Sequence, residues 1–139
     1  MQLQPYAPED EKAVIELWQR CELTRTWNDP RKDIQRKLTE QPELFLVGKI
    51  DGAVVATAMA GYDGHRGWVN YLAVAEAHRD KGLARAMMAR VEELLKARGC
   101  PKINIQIRAG NATVLEFYKR IGYATDDVIS VGKRLIPDQ

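Results

Sequence analysis

Residues 68–85 read WVNYLAVAEAHRDKGLAR, and their order decides the fold. The first seven, WVNYLAV, are aromatic and β-branched enough for a strand. After the charged stretch HRDKGLAR (78–85), Leu83, Met87, Val91, Leu94 and Leu95 recur at helical spacing. That stripe ends at Gly99, a good C-cap, with Pro101 just beyond. KINIQI (102–107) then alternates as another strand. Strand, long helix and strand in this order leave room for a right-handed crossover, so the two strands pair in parallel.

Working outward, the remaining elements are antiparallel in character. LFLVGKI (44–50) and AVVATAMAGY (53–62) are strands joined by Asp51-Gly52, a two-residue hairpin turn. Asp63-Gly64 and Gly67 bracket a second tight connection into WVNYLAV. QLQPY (2–6) is a short first strand, placed toward an edge by Pro5. Pro8, Glu9 and Asp10 suit the first turn of a helix, whose buried face is Ala13, Val14, Leu17, Trp18 and Cys21. TWNDPRKDIQRKL (26–38) restarts a helix, capped by Asn28 or Asp29 with Pro30 just inside. NATVLEFYKRIGY (111–123) is a short helix capped at Asn111, and DDVISVGKRL (126–135) is expected to close the chain as a last strand. The expected architecture is α/β: one domain over residues 1–139, with a mixed, mostly antiparallel central sheet, one parallel strand-helix-strand unit and flanking helices.

Composition narrows the function. Lys and Arg number 21 against 19 Asp and Glu, a net charge of +2 with no long basic run, so neither a nucleic-acid nor a membrane surface is expected. The N-terminus lacks the apolar core of a signal peptide, and AVVATAMAG is far shorter than the roughly 20 residues that span a bilayer. Cys21 and Cys100 show no metal-ligand spacing and only His65 and His78 accompany them, so free thiols, a cytoplasmic location and no metal are expected.

The stretch 78–85 can hold an anion. The first N–H groups of a helix have no intrahelical partner, and its dipole adds partial positive charge there. Gly82 permits backbone geometry that a Cβ obstructs, Ala84 keeps the next turn low, and Arg79, Lys81 and Arg85 add cationic field. Asp80, the only acid, reads as a cap for the helix. There is no GxGxxG and no GK[ST], so the stretch is neither a dinucleotide fingerprint nor a Walker A loop.

RDKGLA (79–84) resembles the R/Q-x-x-G-x-G/A loop of the GNAT (GCN5-related N-acetyltransferase) superfamily, which holds the pyrophosphate of coenzyme A. The element order is that family's order, and NATVLEFYKRIGY is similar to its N-x-x-A-x-x-x-Y-x-x-x-G-F/Y region. Nearly the whole chain further resembles the bacterial YpeA-type acetyltransferases, through WNDP, FLV, GYDGHRG, RGCPKINIQIR and GKRL.

The resemblance implies an acetyl-CoA-dependent N-acetyltransferase. In this family an amine, on a small molecule or a protein, attacks the thioester without an acetyl-enzyme. It implies that the backbone of Leu72, Ala73 and Val74 pairs with the pantetheine arm and polarises the thioester carbonyl. Arg79, Lys81, Gly82, Leu83, Ala84 and Arg85 would cradle the pyrophosphate. Asn111 would bond the pantetheine, and Tyr118 would protonate the departing thiolate. The base stays open among Asp63, His65, Asp29 and a water chain. Gln106 stands where the ribosomal-protein N-terminal acetyltransferases carry a glutamate, which argues against that route. Trp27 and Trp68 are candidates to line the acceptor pocket, with core packing as the alternative. A non-catalytic acyl-CoA-binding module is the competing function, and a monomer or homodimer is expected.

Overall fold

The computed structural model describes residues 1–138. Backbone contacts divide them into two compact units, Met1–Ile105 with Asp138, and Gln106–Pro137.

The first unit contains a five-stranded sheet: β1 (Gln2–Pro5), β2 (Phe45–Ile50), β3 (Ala53–Tyr62), β4 (Gly67–Val74) and β5 (Ile103–Asn104). Spatial order follows sequence order, with β1 to β4 antiparallel and β4–β5 parallel. The β2–β3 hairpin turns on Asp51 (φ +51°) and Gly52 (φ +79°), the paired left-handed conformations that an Asp-Gly turn favours.

Helices α1 (Glu11–Arg20) and α2 (Pro30–Lys37) pack on one face of the sheet. Val14, Ile15, Leu17 and Trp18 of α1 and Ile34 of α2 form one core with Tyr6, Phe45, Val47, Met59 and Ala73. Asp29 caps α2 by accepting from the N–H groups of Arg31 (2.9 Å) and Lys32 (3.5 Å), and Pro30 starts it. Strand alternation sends Ala56, Ala58 and Ala60 to the opposite face. Their small side chains let α3 (Leu83–Ala97) approach closely with its buried Met87, Met88, Val91 and Leu95. Gly99, at φ +85°, ends α3, and Cys100 N–H returns to Leu95 C=O at 3.1 Å.

In the second unit α4 (Ala112–Arg120) is capped by Asn111, whose side-chain oxygen accepts from Val114 N–H at 3.3 Å. Gly122 (φ +101°) closes it, and Tyr123 N–H bonds Tyr118 C=O at 2.9 Å.

Two expected strands differ. Within KINIQI only Ile103 and Asn104 form a strand, pairing with Gly67 and Trp68. Among the described residues DDVISVGKRL forms no strand, and Ile129 and Val131 are 90% and 91% exposed. Alternation shows that a segment can pair; pairing needs a second edge.

Candidate active site

The site begins at a fault in the β3–β4 ladder. Thr57 pairs with Ala73 and Met59 with Asn70, so Tyr71 and Leu72 together oppose the single residue Ala58. Two residues against one make a β-bulge, and Tyr71 within it takes a left-handed φ of +53°.

Side chains hold the bulge open. The Trp18 indole N–H donates to Thr57 Oγ1 at 2.9 Å, and the Thr57 hydroxyl donates to Tyr71 C=O at 2.8 Å. Trp18 stacks on the Tyr71 ring with centroids 3.8 Å apart. The Tyr71 hydroxyl donates to Asp33 Oδ2 at 2.5 Å, and the Asn28 amide donates to the same oxygen at 2.8 Å. Burial and the adjoining Asp33 carboxylate push the Tyr71 phenol well above its usual pKa. Sequence reading missed this network. Asp33 looks like any solvent-facing helix residue, and no local pattern announces a positive φ at a tyrosine.

Beyond the bulge, β4 has one open edge. Ala75 N–H bonds Val55 C=O at 2.8 Å, so by alternation Ala73 also faces β3 while Val74 turns its amide to the other side. On that side β5 pairs only as far as Trp68. By that alternation Leu72 and the Val74 amide face the open side, the kind of edge to which an extended chain can add, while Ala73 pairs with Thr57.

This edge runs toward α3. Arg79 folds back, donating from Nε to Val74 C=O at 3.1 Å and contacting Cys21 Sγ at 3.5 Å, so it braces the strand end. Asp80 (φ +62°) and Gly82 (φ +78°) turn the chain into the helix. The expectation for Asp80 is corrected here: the N-cap is Gly82, and no side chain caps α3. The first intrahelical bond is Ala86 N–H to Gly82 C=O at 3.0 Å, so the amides of Leu83, Ala84 and Arg85 precede the ladder. A Cβ built on Gly82 meets nothing within 4 Å, so the space over the helix mouth is open. Lys81 and Arg85 are exposed beside it.

The base candidates lie elsewhere. Asp63 accepts from the N–H groups of His65 (2.8 Å) and Arg66 (2.7 Å) and from the Trp68 indole (3.2 Å). Those bonds, first of all from the Arg66 and His65 backbone, hold its carboxyl below the usual range. The hairpin carrying Asp63 and His65 joins the start of β4, and Gly67 to Leu72 is five steps, about 17 Å of strand. Asp29 is occupied as a helix cap. Trp27 is 46% exposed, and Trp68 is the partner of Asp63. Neither cysteine is in a disulfide, and among the described residues no cluster of three or more His, Cys, Asp or Glu could hold a metal ion.

In the second unit Tyr118 is buried on α4, with edge-on contacts to the rings of Phe117 (5.1 Å) and Tyr123 (5.5 Å). Burial pushes its phenol up to about 12. Gln106 donates to Ser130 Oγ at 2.5 Å.

The sequence profile of the Acetyltransferase (GNAT) family matches residues 12–123. The chain belongs to the GNAT family of acetyltransferases. An acetyltransferase of Yersinia pestis is 48% identical over 139 residues, covering 100% of this chain and 99% of that protein. Among solved structures, the fold is similar to the apo aminoglycoside 6'-N-acetyltransferase AAC(6')-IG of Acinetobacter haemolyticus, with TM-score 0.76 and 20% identity, covering 98% of this chain and all of that one. It is similar as well to AAC(6')-Iy in complex with the bisubstrate analogue CoA-S-monomethyl-acetylneamine, with TM-score 0.77 and 17% identity, covering 96% and 97%. As a GNAT protein, the chain carries the bulged strand and glycine-capped helix on one continuous stretch, residues 67–97.

Proposed function

We propose that this GNAT protein is an acetyl-CoA-dependent N-acetyltransferase that moves the acetyl group directly from the CoA thioester to an amine of a small molecule or a protein. The observation that carries this reading is the unpaired edge of β4 leading straight into the uncapped N-terminus of α3.

Acetyl-CoA supplies an activated acyl group; the chain supplies position and field. The amides of Leu83, Ala84 and Arg85 bind the pyrophosphate oxygens, with Gly82 keeping the approach clear. Lys81 and Arg85 add charge that strengthens at low salt. Arg79 fixes the strand end that hands the ligand from edge to helix. Along Leu72–Val74 the backbone binds the pantetheine as an added strand, and an amide at the bulge polarises the thioester carbonyl. A preformed donor of this kind is worth roughly 2.7–4 kcal/mol in the transition state.

Asn111 and Tyr118 take the roles that the family motif assigns, a pantetheine contact and the acid for the departing thiolate. A phenol pushed up to about 12 holds its proton throughout the neutral range, as an acid must. The amine's proton leaves through a water chain, with Asp63, His65 and Asp29 as the side-chain alternatives.

An amine panel assayed by free thiol release from acetyl-CoA tests the reading. Turnover with at least one amine, and none without protein, is the expected result. Binding of acetyl-CoA with no turnover on any amine would instead favour a non-catalytic acyl-CoA module.

A further inference from the structure

Thr57 is the one polar side chain in the buried run 55–60 of β3. A buried hydroxyl is costly unless it is bonded, and a valine would fill the same strand position with no hydroxyl to satisfy. Its partners fix its direction. The Trp18 indole N–H can only donate, so at 2.9 Å the Thr57 oxygen accepts from it. The single hydroxyl hydrogen then goes to Tyr71 C=O at 2.8 Å. That carbonyl belongs to the bulge residue with φ +53°, a conformation that a bulky side chain keeps only where its surroundings hold it.

The peptide between Tyr71 and Leu72 is trans, so its C=O and N–H point in opposite directions. With the carbonyl drawn to Thr57, the Leu72 N–H turns away from β3, to the side on which β5 pairs only with Gly67 and Trp68. We infer, on the reading of β4 as the acetyl-CoA edge, that Thr57 is a positioning residue for acetyl transfer: its hydroxyl, oriented by Trp18, aims the Leu72 N–H at the thioester carbonyl. Hydrogen bonds in a row polarise one another. The run from the Trp18 N–H through the Thr57 hydroxyl to Tyr71 C=O therefore also makes the Leu72 N–H a stronger donor. The donor is in place before the ligand arrives, which is what electrostatic stabilisation of a transition state needs.

The test reads the carbonyl of acetyl-CoA itself and needs no acceptor amine. Infrared difference spectra are taken with acetyl-CoA isotope-labelled at the acetyl carbonyl, bound to the natural chain, Thr57→Ser, Thr57→Val and Trp18→Phe. Donation to a carbonyl lowers its stretching frequency. The band should lie equally low in the natural chain and in Thr57→Ser, which keeps the hydroxyl. It should shift to higher frequency in Thr57→Val, and by a smaller step in Trp18→Phe, which keeps the aromatic ring and loses the N–H. CoA, which has no acetyl carbonyl, should bind the variants as tightly as the natural chain. An unshifted band in Thr57→Val, or a shift in Thr57→Ser as large as in Thr57→Val, would overturn the inference. So would a loss of CoA affinity in Thr57→Val, which would make Thr57 a support of the whole site. If Thr57→Val fails to fold, Trp18→Phe against the natural chain decides, and an unshifted band there overturns the inference. A natural chain that shows no bound acetyl-CoA band at all would instead overturn the reading of the β4 edge, and the inference with it.

Discussion

Gly82 matters for two separable reasons. Its φ of +78° is costly for a residue with a Cβ, and the space beyond it is open. Gly82→Ala should cost about 1 kcal/mol of stability through the backbone alone, and Gly82→Glu adds bulk and negative charge at the helix mouth. The expected outcome is that thermal stabilisation by CoA weakens in the first variant and disappears in the second. Retained stabilisation in Gly82→Glu removes the cradle. Tyr118→Phe keeps the ring and removes the proton: turnover should fall by about 10²-fold or more with CoA affinity nearly unchanged, read as a kcat loss against a constant CoA Kd. Gly67 is a packing glycine. A Cβ there meets Cys100 Sγ and Leu95 Cδ1, each at 2.9 Å, so Gly67→Val should destabilise by about 1–3 kcal/mol in urea titration with no specific effect on CoA.

At the scale of elements, local chemistry made much of the chain legible. Asp51-Gly52, Asn28-Asp29-Pro30, Gly99 and Asn111 each announce a turn or cap, because their conformational needs are met within a few residues. Asn111 shows that one residue can satisfy a structural role while carrying a family motif. Asn111→Ala should lose about 1 kcal/mol of stability from the cap, and a larger loss in CoA affinity than in stability would separate the two roles. Long-range features were opaque for a physical reason. The β4 bulge depends on Trp18, Thr57, Asp33 and Asn28 converging from α1, β3, α2 and the loop before α2, and nothing in the pattern of WVNYLAV reveals a register fault. The alternation of DDVISVGKRL is real, yet it could not say whether a partner edge exists in the same chain. Asp63 and His65 sit on the hairpin at the start of β4, a distance along the strand from the bulge that the pattern of the sequence does not reveal.

Across the whole molecule, Asp138 ties the end of the described chain back to α2. It pairs with Arg36 at 2.6 Å and 3.2 Å and accepts from Asp29 N–H at 3.2 Å. The Arg36 hydrogen bond, followed by the Asp29 backbone, pulls its carboxyl down to about 2. A depressed folded-state pKa means the stabilisation is full above the ordinary carboxylate value near ~3.9 and is lost as pH falls toward about 2. Melting curves should therefore show Asp138→Asn less stable than the natural chain at neutral pH, with the gap closing across that acid window. A gap that persists at pH near 2 would assign the effect to packing. We propose the stretch from β4 to α3, with its open strand edge and the helix mouth that no side chain caps, as the acetyl-CoA site. The most direct measurement is the melting temperature with saturating acetyl-CoA, since a ligand that binds the folded state stabilises it by mass action. A rise that grows with ligand concentration and is absent in Gly82→Glu is the predicted result; an unchanged melting temperature of the natural chain at saturating acetyl-CoA would contradict the account.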